Sequence, residues 1–491
     1  MDIRPHVFLD SAAAIPLYRQ LAESLRIAIH SGALTAGTRL PATRELAGQL
    51  GLNRTTISAA YAILEQAGLL EGLVGRGSFV ARGESPVRAD FDWDAVLTPL
   101  ESLHAQPVDD TVNFANSRPD EQCFPMAEFR RLSKEVIDGP QAAEILQLGS
   151  PYGYAPLRRY LLAENADAGI ARPSDDLIIT NGCQQALDLL GRILIEDGTP
   201  VLVEDPVYHG LLRVLGRAGA HVIPVPVSTE AGLNVNTLET LVAQHRPRLL
   251  VITPDFQNPT GTTLNLEQRK RVIAVAQRFG LVIVETNIYR KLRYCGTAQP
   301  SLKELDQTGN VISIGSYSKV AFPGLRTGWV IAPRPVIARL AEAKQTSDLH
   351  SDQLSQGVLL RFAESGELDR HLAETRRAGA KRLAAALDSC EQHLPSGSRF
   401  SQPEGGMNLW VELPAPLVAQ DLLNAARECG VSFLPGPYFS SKGGHRRALR
   451  LSFGGLSPEK ITRGIAMLGV AASEQLRARS AAALEPAAAL V

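Results

Sequence analysis

Residues 311–329 read VISIGSYSKVAFPGLRTGW. The opening VISIG has the unbroken apolar, β-branched character of a strand buried on both faces, and the serines and lysine that follow lie just past its end. Runs of the same kind occur at LIIT (177–180), VLVE (201–204), LLVIT (249–253) and LVIVE (281–285), separated by stretches of helical periodicity. That alternation predicts an α/β fold for residues 111–470, a parallel sheet with helices on both faces. Open sheets of this type bind ligands beyond the carboxyl ends of their strands. Lys319 is therefore a candidate for chemistry, because a deprotonated amine can form a Schiff base with an aldehyde.

The other candidates lie around similar strand ends. Ser316 and Arg326 suit a phosphate, the arginine through a bidentate charge-assisted pair. In TNGCQQAL, Gly182, Cys183 and Gln184 stand at a strand-to-helix turn whose free N–H groups suit an anion. Asn258, in PDFQNPTG, and Tyr289 follow strand ends from which both can reach a phenolic oxygen, and Tyr208, in EDPVYHG, offers a flat face to a ring. Arg450, in RRALRLSFG, suits a carboxylate. Read singly, each has an ordinary alternative: a solvated lysine, a core tyrosine, a surface ion-pair arginine or a plain helix start.

The composition narrows the remaining possibilities. The 50 basic residues against 51 acidic ones give a net charge of −1, so a polyanion partner would need a local site. Cys123, Cys183, Cys295, Cys390 and Cys429 are scattered and odd in number, which predicts a reducing, cytoplasmic setting rather than a disulfide framework. No apolar run is long enough to span a membrane, and the start lacks a signal-peptide pattern. The ten histidines form no HxxxH or Cys/His cluster, and no GxSxG or Walker loop occurs, so no metal site is expected.

Residues 12–82 read as a separate small domain. Ile57, Ala60, Tyr61 and Leu64 recur at helical spacing, leaving Arg54, Thr55 and Ser58 on the opposite face. Asn53 is placed to cap that helix, and a preceding helix turns Leu46, Ala47 and Leu50 inward. EGLVGRGSFVA then predicts a two-stranded wing with Gly75, Arg76 and Gly77 at its tip. Eight arginines and no lysine against six acids in residues 1–82 give only a small positive excess, so DNA binding rests on placement of those charges. Residues 83–110 are read as a linker with a turn of helix near 96–103, and 471–491 as an Ala-rich tail, frayed or disordered.

The stretch from PLYRQLAESLRIAIHSG to GLVGRGSFV resembles the winged helix-turn-helix of the GntR regulators. That resemblance implies operator DNA contacts by Arg44, Arg54, Thr55, Thr56, Arg76 and Gly77. The motifs of residues 111–470 resemble fold-type I pyridoxal 5′-phosphate (PLP) enzymes of the aminotransferase class. Together the two parts resemble the MocR-type branch of the GntR family, whose aminotransferase-like domain senses effectors and typically dimerises. The resemblance implies that Lys319 is the Schiff-base lysine and that Asn258 and Tyr289 bond the phenolic oxygen of PLP. It implies further that Tyr208 stacks on the ring and that Gly182, Cys183, Gln184, Ser316, Ser318 and Arg326 surround the phosphate. Arg450 would meet an effector carboxylate, the effector being PLP itself or an amino acid or amine.

Two positions depart from the family pattern. In VIVETNIYRKLRY, Thr286 stands where an aspartate pairs with the ring nitrogen of PLP, and Asn287 where a second acid often follows. A neutral hydroxyl cannot hold a pyridinium as a carboxylate does, which predicts PLP binding with weak or absent transaminase turnover. In EILQLGSPYG, Leu148 takes the place of a tyrosine that reaches a dimer partner's phosphate, with Tyr152 as a substitute. The alternative is an active aminotransferase carrying an accessory DNA-binding domain.

Overall fold

The computed structural model describes residues 3–10, 15–73, 77–81, 93, 96 and 112–484. The chain forms two compact units, Met1–Ala105 and Gln106–Val491. The expected linker, apart from Trp93 and Val96, lies outside the described residues, as do Gly75 and Arg76 at the wing tip.

In the first unit, helices Leu17–His30, Thr43–Leu50 and Arg54–Gln66 precede an antiparallel hairpin of Leu70–Leu73 with Gly77–Val80. Ile57, Ala60, Tyr61 and Leu64 are buried as their spacing predicts, in one core with Leu21, Leu25 and Leu46. The Asn53 side chain accepts the Thr55 N–H at 3.1 Å and starts the third helix. Gly51, at φ 64°, ends the second. The Tyr61 hydroxyl donates to the Pro41 carbonyl at 2.9 Å, so its polar tip is satisfied inside the core. This core also takes in Ile3, so the packed unit starts upstream of the expected boundary at residue 12.

The second unit is built on an eight-stranded sheet, among the described residues, in the spatial order 175–180, 328–333, 311–316, 282–286, 249–252, 200–205, 221–228 and 232–233. The five strands read from the sequence are all present in it, and 311–316, 282–286, 249–252, 200–205 and 221–228 pair in parallel. The expected parallel sheet forms the centre of a mixed one, because Gly328–Pro333 runs antiparallel to both of its neighbours and Gly232–Leu233 antiparallel to 221–228. The chain leaves Ser316, passes Lys319, turns at Pro323–Leu325 and returns at once, with Ser316 paired to Gly328 and Gly328 to Thr180. This return brings Ser316, Arg326 and the turn after Thr180 to one end of the sheet.

A second, antiparallel sheet, Arg399–Phe400, Asn408–Glu412, Ala448–Ser452 and Leu434–Pro435, was not legible from strand-length runs. It packs with helices Glu367–His393 and Pro458–Leu484 around a core of its own. The last helix corrects the boundary expected at 470. Ile461, Ile465, Leu468 and Ala472 repeat on one buried face, so the Ala-rich segment begins inside a packed helix. Among the described residues no helix is long and apolar enough to cross a membrane.

Candidate functional site

A cavity of about 310 Å³ opens at the carboxyl ends of the central strands. Cys183, Gln184, Tyr208, Asn258, Thr286, Tyr289, Ser316, Ser318, Lys319, Arg326 and Arg450 all line it. Of the pocket residues chosen from sequence, only Gly182 is not part of the lining. Its place is structural: at φ 81° it precedes helix Cys183–Leu194, and a Cβ there would come 2.5 Å from Arg326 Nη2. A side chain at 182 would thus displace the guanidinium.

One end of the cavity is made of donors. No side chain caps helix Cys183–Leu194, which leaves its first N–H groups open to an anion. Arg326 reaches the same turn, its Nη2 donating to the Asn181 carbonyl at 3.2 Å and its Nη1 lying 3.4 Å from Ser318 Oγ. Ser316 Oγ is 3.0 Å from Ser318 Oγ and accepts the Ser318 N–H at 3.1 Å. Burial drives the Cys183 thiol up to about 12, so it adds no negative charge to this end at neutral pH. An uncapped helix start, a guanidinium and two hydroxyls form a donor set that fits a phosphate.

Lys319 Nζ donates to the Ser117 carbonyl and lies 5.8 Å from the centre of the Tyr289 ring. Tyr208 projects from the start of helix His209–Arg217, and its hydroxyl donates to Gln184 Oε1 at 3.2 Å. Asn258 accepts from Arg450 Nη1 at 3.1 Å, so the residue expected to bond a phenolic oxygen also orients the arginine. Arg450 is not a surface ion-pair residue: it is 2% exposed on strand Ala448–Ser452. Its second nitrogen donates to the Ala115 carbonyl and its Nε is buried without a partner. Burial lowers it to about 10, leaving it a cation at neutral pH. Among the described residues no carboxylate lies within ion-pair distance of it, and a buried, uncompensated cation favours an anionic ligand.

The opposite end is neutral in its nearest groups. Thr286 ends strand Val282–Thr286, and its hydroxyl lies 2.5 Å from that of Thr253. Asn287 does not line the cavity; its amide turns to Ser313 Oγ at 3.0 Å. Leu148 is 74% exposed. Tyr152 is not part of the lining either, and its ring lies 5.1 Å from the Arg158 guanidinium. Sequence reading missed Glu204, Thr253, His209 and the segment Ala115–Ser117, all of which line the cavity. Glu204 stood in plain view as the last residue of VLVE, a charge at the ligand-binding end of a buried strand.

In the first unit Arg44, Arg54, Thr55 and Gly77 are exposed, and Thr56 is half-buried. Arg54, Thr55 and Thr56 form the first turn of helix Arg54–Gln66, where the Thr55 hydroxyl also donates to Asn53 Oδ1 at 3.0 Å. Gly77 begins the second wing strand at φ 105°.

Comparison with known proteins matches residues 17–80 to the bacterial regulatory proteins of the gntR family and residues 130–468 to aminotransferase class I and II. The probable rhizopine catabolism regulatory protein MocR of Rhizobium meliloti is 31% identical across both parts, over 93% of this chain and 94% of its own length. The chain belongs to the MocR-type branch of the GntR regulators. Its second unit is similar to the Pyrococcus horikoshii kynurenine aminotransferase, solved in complex with PMP (TM-score 0.73, 32% identity, 75% of this chain and 92% of that one). It is also similar to LysN, the α-aminoadipate aminotransferase of Thermus thermophilus, complexed with N-(5′-phosphopyridoxyl)-L-leucine (TM-score 0.71, 35% identity, 75% and 94%). Aminotransferases of this class are PLP-dependent, and this MocR-type chain joins their fold to a DNA-binding helix-turn-helix.

Proposed function

We propose that this protein is a cytoplasmic, one-component transcriptional regulator that holds PLP on Lys319 and responds to PLP or to an amino acid or amine, with little or no transaminase turnover. The observation that carries this reading is the contrast within one cavity: a set of phosphate donors at one end, a neutral threonine pair at the other, and Lys319 on the same wall. When bound, PLP supplies an aldehyde carbon that takes up amines covalently and a ring that can accept electrons.

Cys183, Gln184, Ser316, Ser318 and Arg326 would hold the phosphate, with Gly182 leaving room for the Arg326 guanidinium beside the turn. Tyr208 would cover the ring, and Asn258 and Tyr289 would bond its phenolic oxygen. Arg450, buried and with Nε free, would take an effector's carboxylate and so discriminate amino acids from simple amines. Thr286 itself can offer the ring nitrogen only a hydroxyl, which holds a pyridinium less firmly than a carboxylate in direct contact and weakens the ring as an electron sink. Amine exchange at Lys319 is thereby retained while turnover is lost, as a sensor requires.

In the first unit Arg54 would read a base edge, while Arg44, Thr55, Thr56, Arg76 and Gly77 would position the phosphates of operator DNA. Two such units in a homodimer would match two half-sites, with effector binding shifting their arrangement. Incubation of the purified protein with amino acids and a 2-oxo acid tests the sensor reading. Single-turnover spectral change without sustained product is expected; sustained multiple turnover makes the protein an active aminotransferase instead, the activity its structural relatives are named for. In a gel shift on its own promoter, Arg54→Ala should relax base preference by about 1–3 kcal/mol per position contacted.

A further inference from the structure

Five carboxyl side chains are buried among the described residues: Asp175, Glu204, Asp255, Glu285 and Asp306. Four have evident structural work. Asp175 pairs with Lys303, Asp255 with Arg269 and Arg293, and Asp306 lies near Arg172 while accepting the N–H groups of Thr308, Gly309 and Val311. Glu285 accepts the N–H groups of Leu302 and Lys303 at the start of a helix. Glu204 is different: it is 2% exposed, lines the cavity, and among the described residues has no cation within ion-pair distance.

Its position is specific. Glu204 Oε2 accepts the N–H of Thr253 at 3.0 Å, and the hydroxyl of that same Thr253 lies 2.5 Å from the hydroxyl of Thr286. Glu204, Thr253 and Thr286 thus form one cluster from three neighbouring strands, 200–205, 249–252 and 282–286, with Thr253 directly following its strand. Thr286 holds the position at which the family pattern has the aspartate that faces the ring nitrogen. A carboxyl group is therefore present at this end of the cavity, supplied from a strand two places away.

We propose that Glu204 replaces the missing aspartate as the acid that shares a proton with the cofactor's ring nitrogen, with Thr253, bonded to Glu204 through its N–H and to Thr286 through its hydroxyl, linking the two positions. This rests on the PLP reading above. Glu204 would hold a proton at its carboxyl oxygen or release it toward the nitrogen, so that the two sites would share one proton with no change in the net charge of the pair. A carboxylate on a strand two places from Thr286 would hold a pyridinium less firmly than one in direct contact, in keeping with a weakened electron sink. Glu204 is in this sense a positioning residue for charge. Burial pushes its carboxyl up to about 8, which suits it to carry a proton at neutral pH.

The other titratable or charged groups on the cavity wall are Cys183, Tyr208, His209, Tyr289, Lys319, Arg326 and Arg450. Burial places Cys183 and Tyr208 at about 12, Arg450 at about 10 and His209 at about 4, all away from the range in which Glu204 changes charge. Visible absorbance would report the linkage at Lys319, so the ring nitrogen must be read directly.

The experiment is ¹⁵N NMR of the full-length protein loaded with ring-¹⁵N PLP, between about pH 6.5 and 9.5, for wild type, Glu204→Gln and Thr286→Asp. Gln keeps the oxygen that accepts the Thr253 N–H, so the fold is retained, and circular dichroism checks it. In wild type the ring-nitrogen signal should lie toward the protonated position at the low end and move to the unprotonated position as pH rises. Glu204→Gln should hold it at the unprotonated position throughout, and Thr286→Asp should hold it at the protonated one. A Glu204→Gln signal that follows wild type at every pH overturns the assignment, as does a wild-type signal that never moves. Failure of PLP to bind at all is a separate result, seen as no labelled signal and no borohydride-trapped adduct, and it sinks the cofactor reading rather than this one.

Discussion

The two ends of the cavity differ in how their charge is made. The phosphate end uses groups that are charged or polar at any ordinary pH: the Arg326 guanidinium, the Ser316 and Ser318 hydroxyls and the open N–H groups of helix Cys183–Leu194. The ring end uses a hydroxyl pair, Thr253 and Thr286, with one buried carboxyl behind it. A permanent donor set gives affinity, and affinity is what a receptor shares with an enzyme. On the proposed reading the acid at the ring nitrogen serves chemistry, and it is there that this chain carries a threonine, Thr286. Binding and electronic activation are thus separable, because different residues on different strands supply them.

The largest effect should come from the amine that joins the two ends. Lys319→Ala should abolish the borohydride-trapped adduct entirely, measured by mass spectrometry of the intact protein, while phosphate-end contacts still permit reversible PLP binding.

Next is the titration of the ring-end acid. Glu204 is neutral in the folded, cofactor-free protein up to about pH 8, whereas its unfolded counterpart ionises near the ordinary value of 4.5. The folded state then holds more protons, so this group lowers stability as pH rises from 4.5 to 8 and adds no further slope above that window. Glu204→Gln should remove that decline, a difference on the order of 5 kcal/mol across the window, read by urea unfolding at several pH values. Identical pH slopes in the two proteins would remove the special status of the ring end.

Arg326→Gln tests the phosphate end. Losing a charge-assisted contact worth about 1.5–3 kcal/mol should weaken PLP affinity about 10- to 100-fold in equilibrium dialysis, leaving the ring-nitrogen signal of the bound fraction unchanged. Thr286→Asp should do the converse. It should leave PLP affinity within a few-fold and raise the rate of the half-reaction with an amino acid by about tenfold to a hundredfold in stopped-flow absorbance. An Arg326 variant that shifted the ring signal, or a Thr286 variant that changed only affinity, would join the two ends that the geometry separates.

Much of the site was legible because strand ends in this fold are ligand positions, and Lys319, Arg326, Asn258 and Tyr289 each follow a recognisable apolar run. The first unit was equally readable, since Ile57, Ala60, Tyr61 and Leu64 carry their burial in their spacing. Glu204 was not, although its strand was predicted correctly. A strand gives a side chain's height in the sheet but not its neighbours, and Glu204 meets Thr253 only because 200–205 and 249–252 are adjacent. The reversed strand 328–333 escaped for a related reason: parallel and antiparallel buried strands have the same apolar composition. The second sheet escaped because its strands Arg399–Phe400 and Leu434–Pro435 are each too short to show a period.

What the sequence determined by itself was local or modular: two units, the buried faces of two helices in the first, five strands of the central sheet, and the presence near strand ends of a lysine and an arginine; that Thr286 stands where an acid is usual came from the family resemblance. These follow from periodicity and residue type, which act over a few neighbours. The tertiary structure alone decided which of those ends share a cavity, that Arg450 sits buried beside Asn258 with no carboxylate in ion-pair distance among the described residues, and that a carboxyl from another strand is tied to Thr253, the neighbour of Thr286. Such contacts depend on strand order and on the loss of water around charges, and both are set by the packing of segments far apart in the chain.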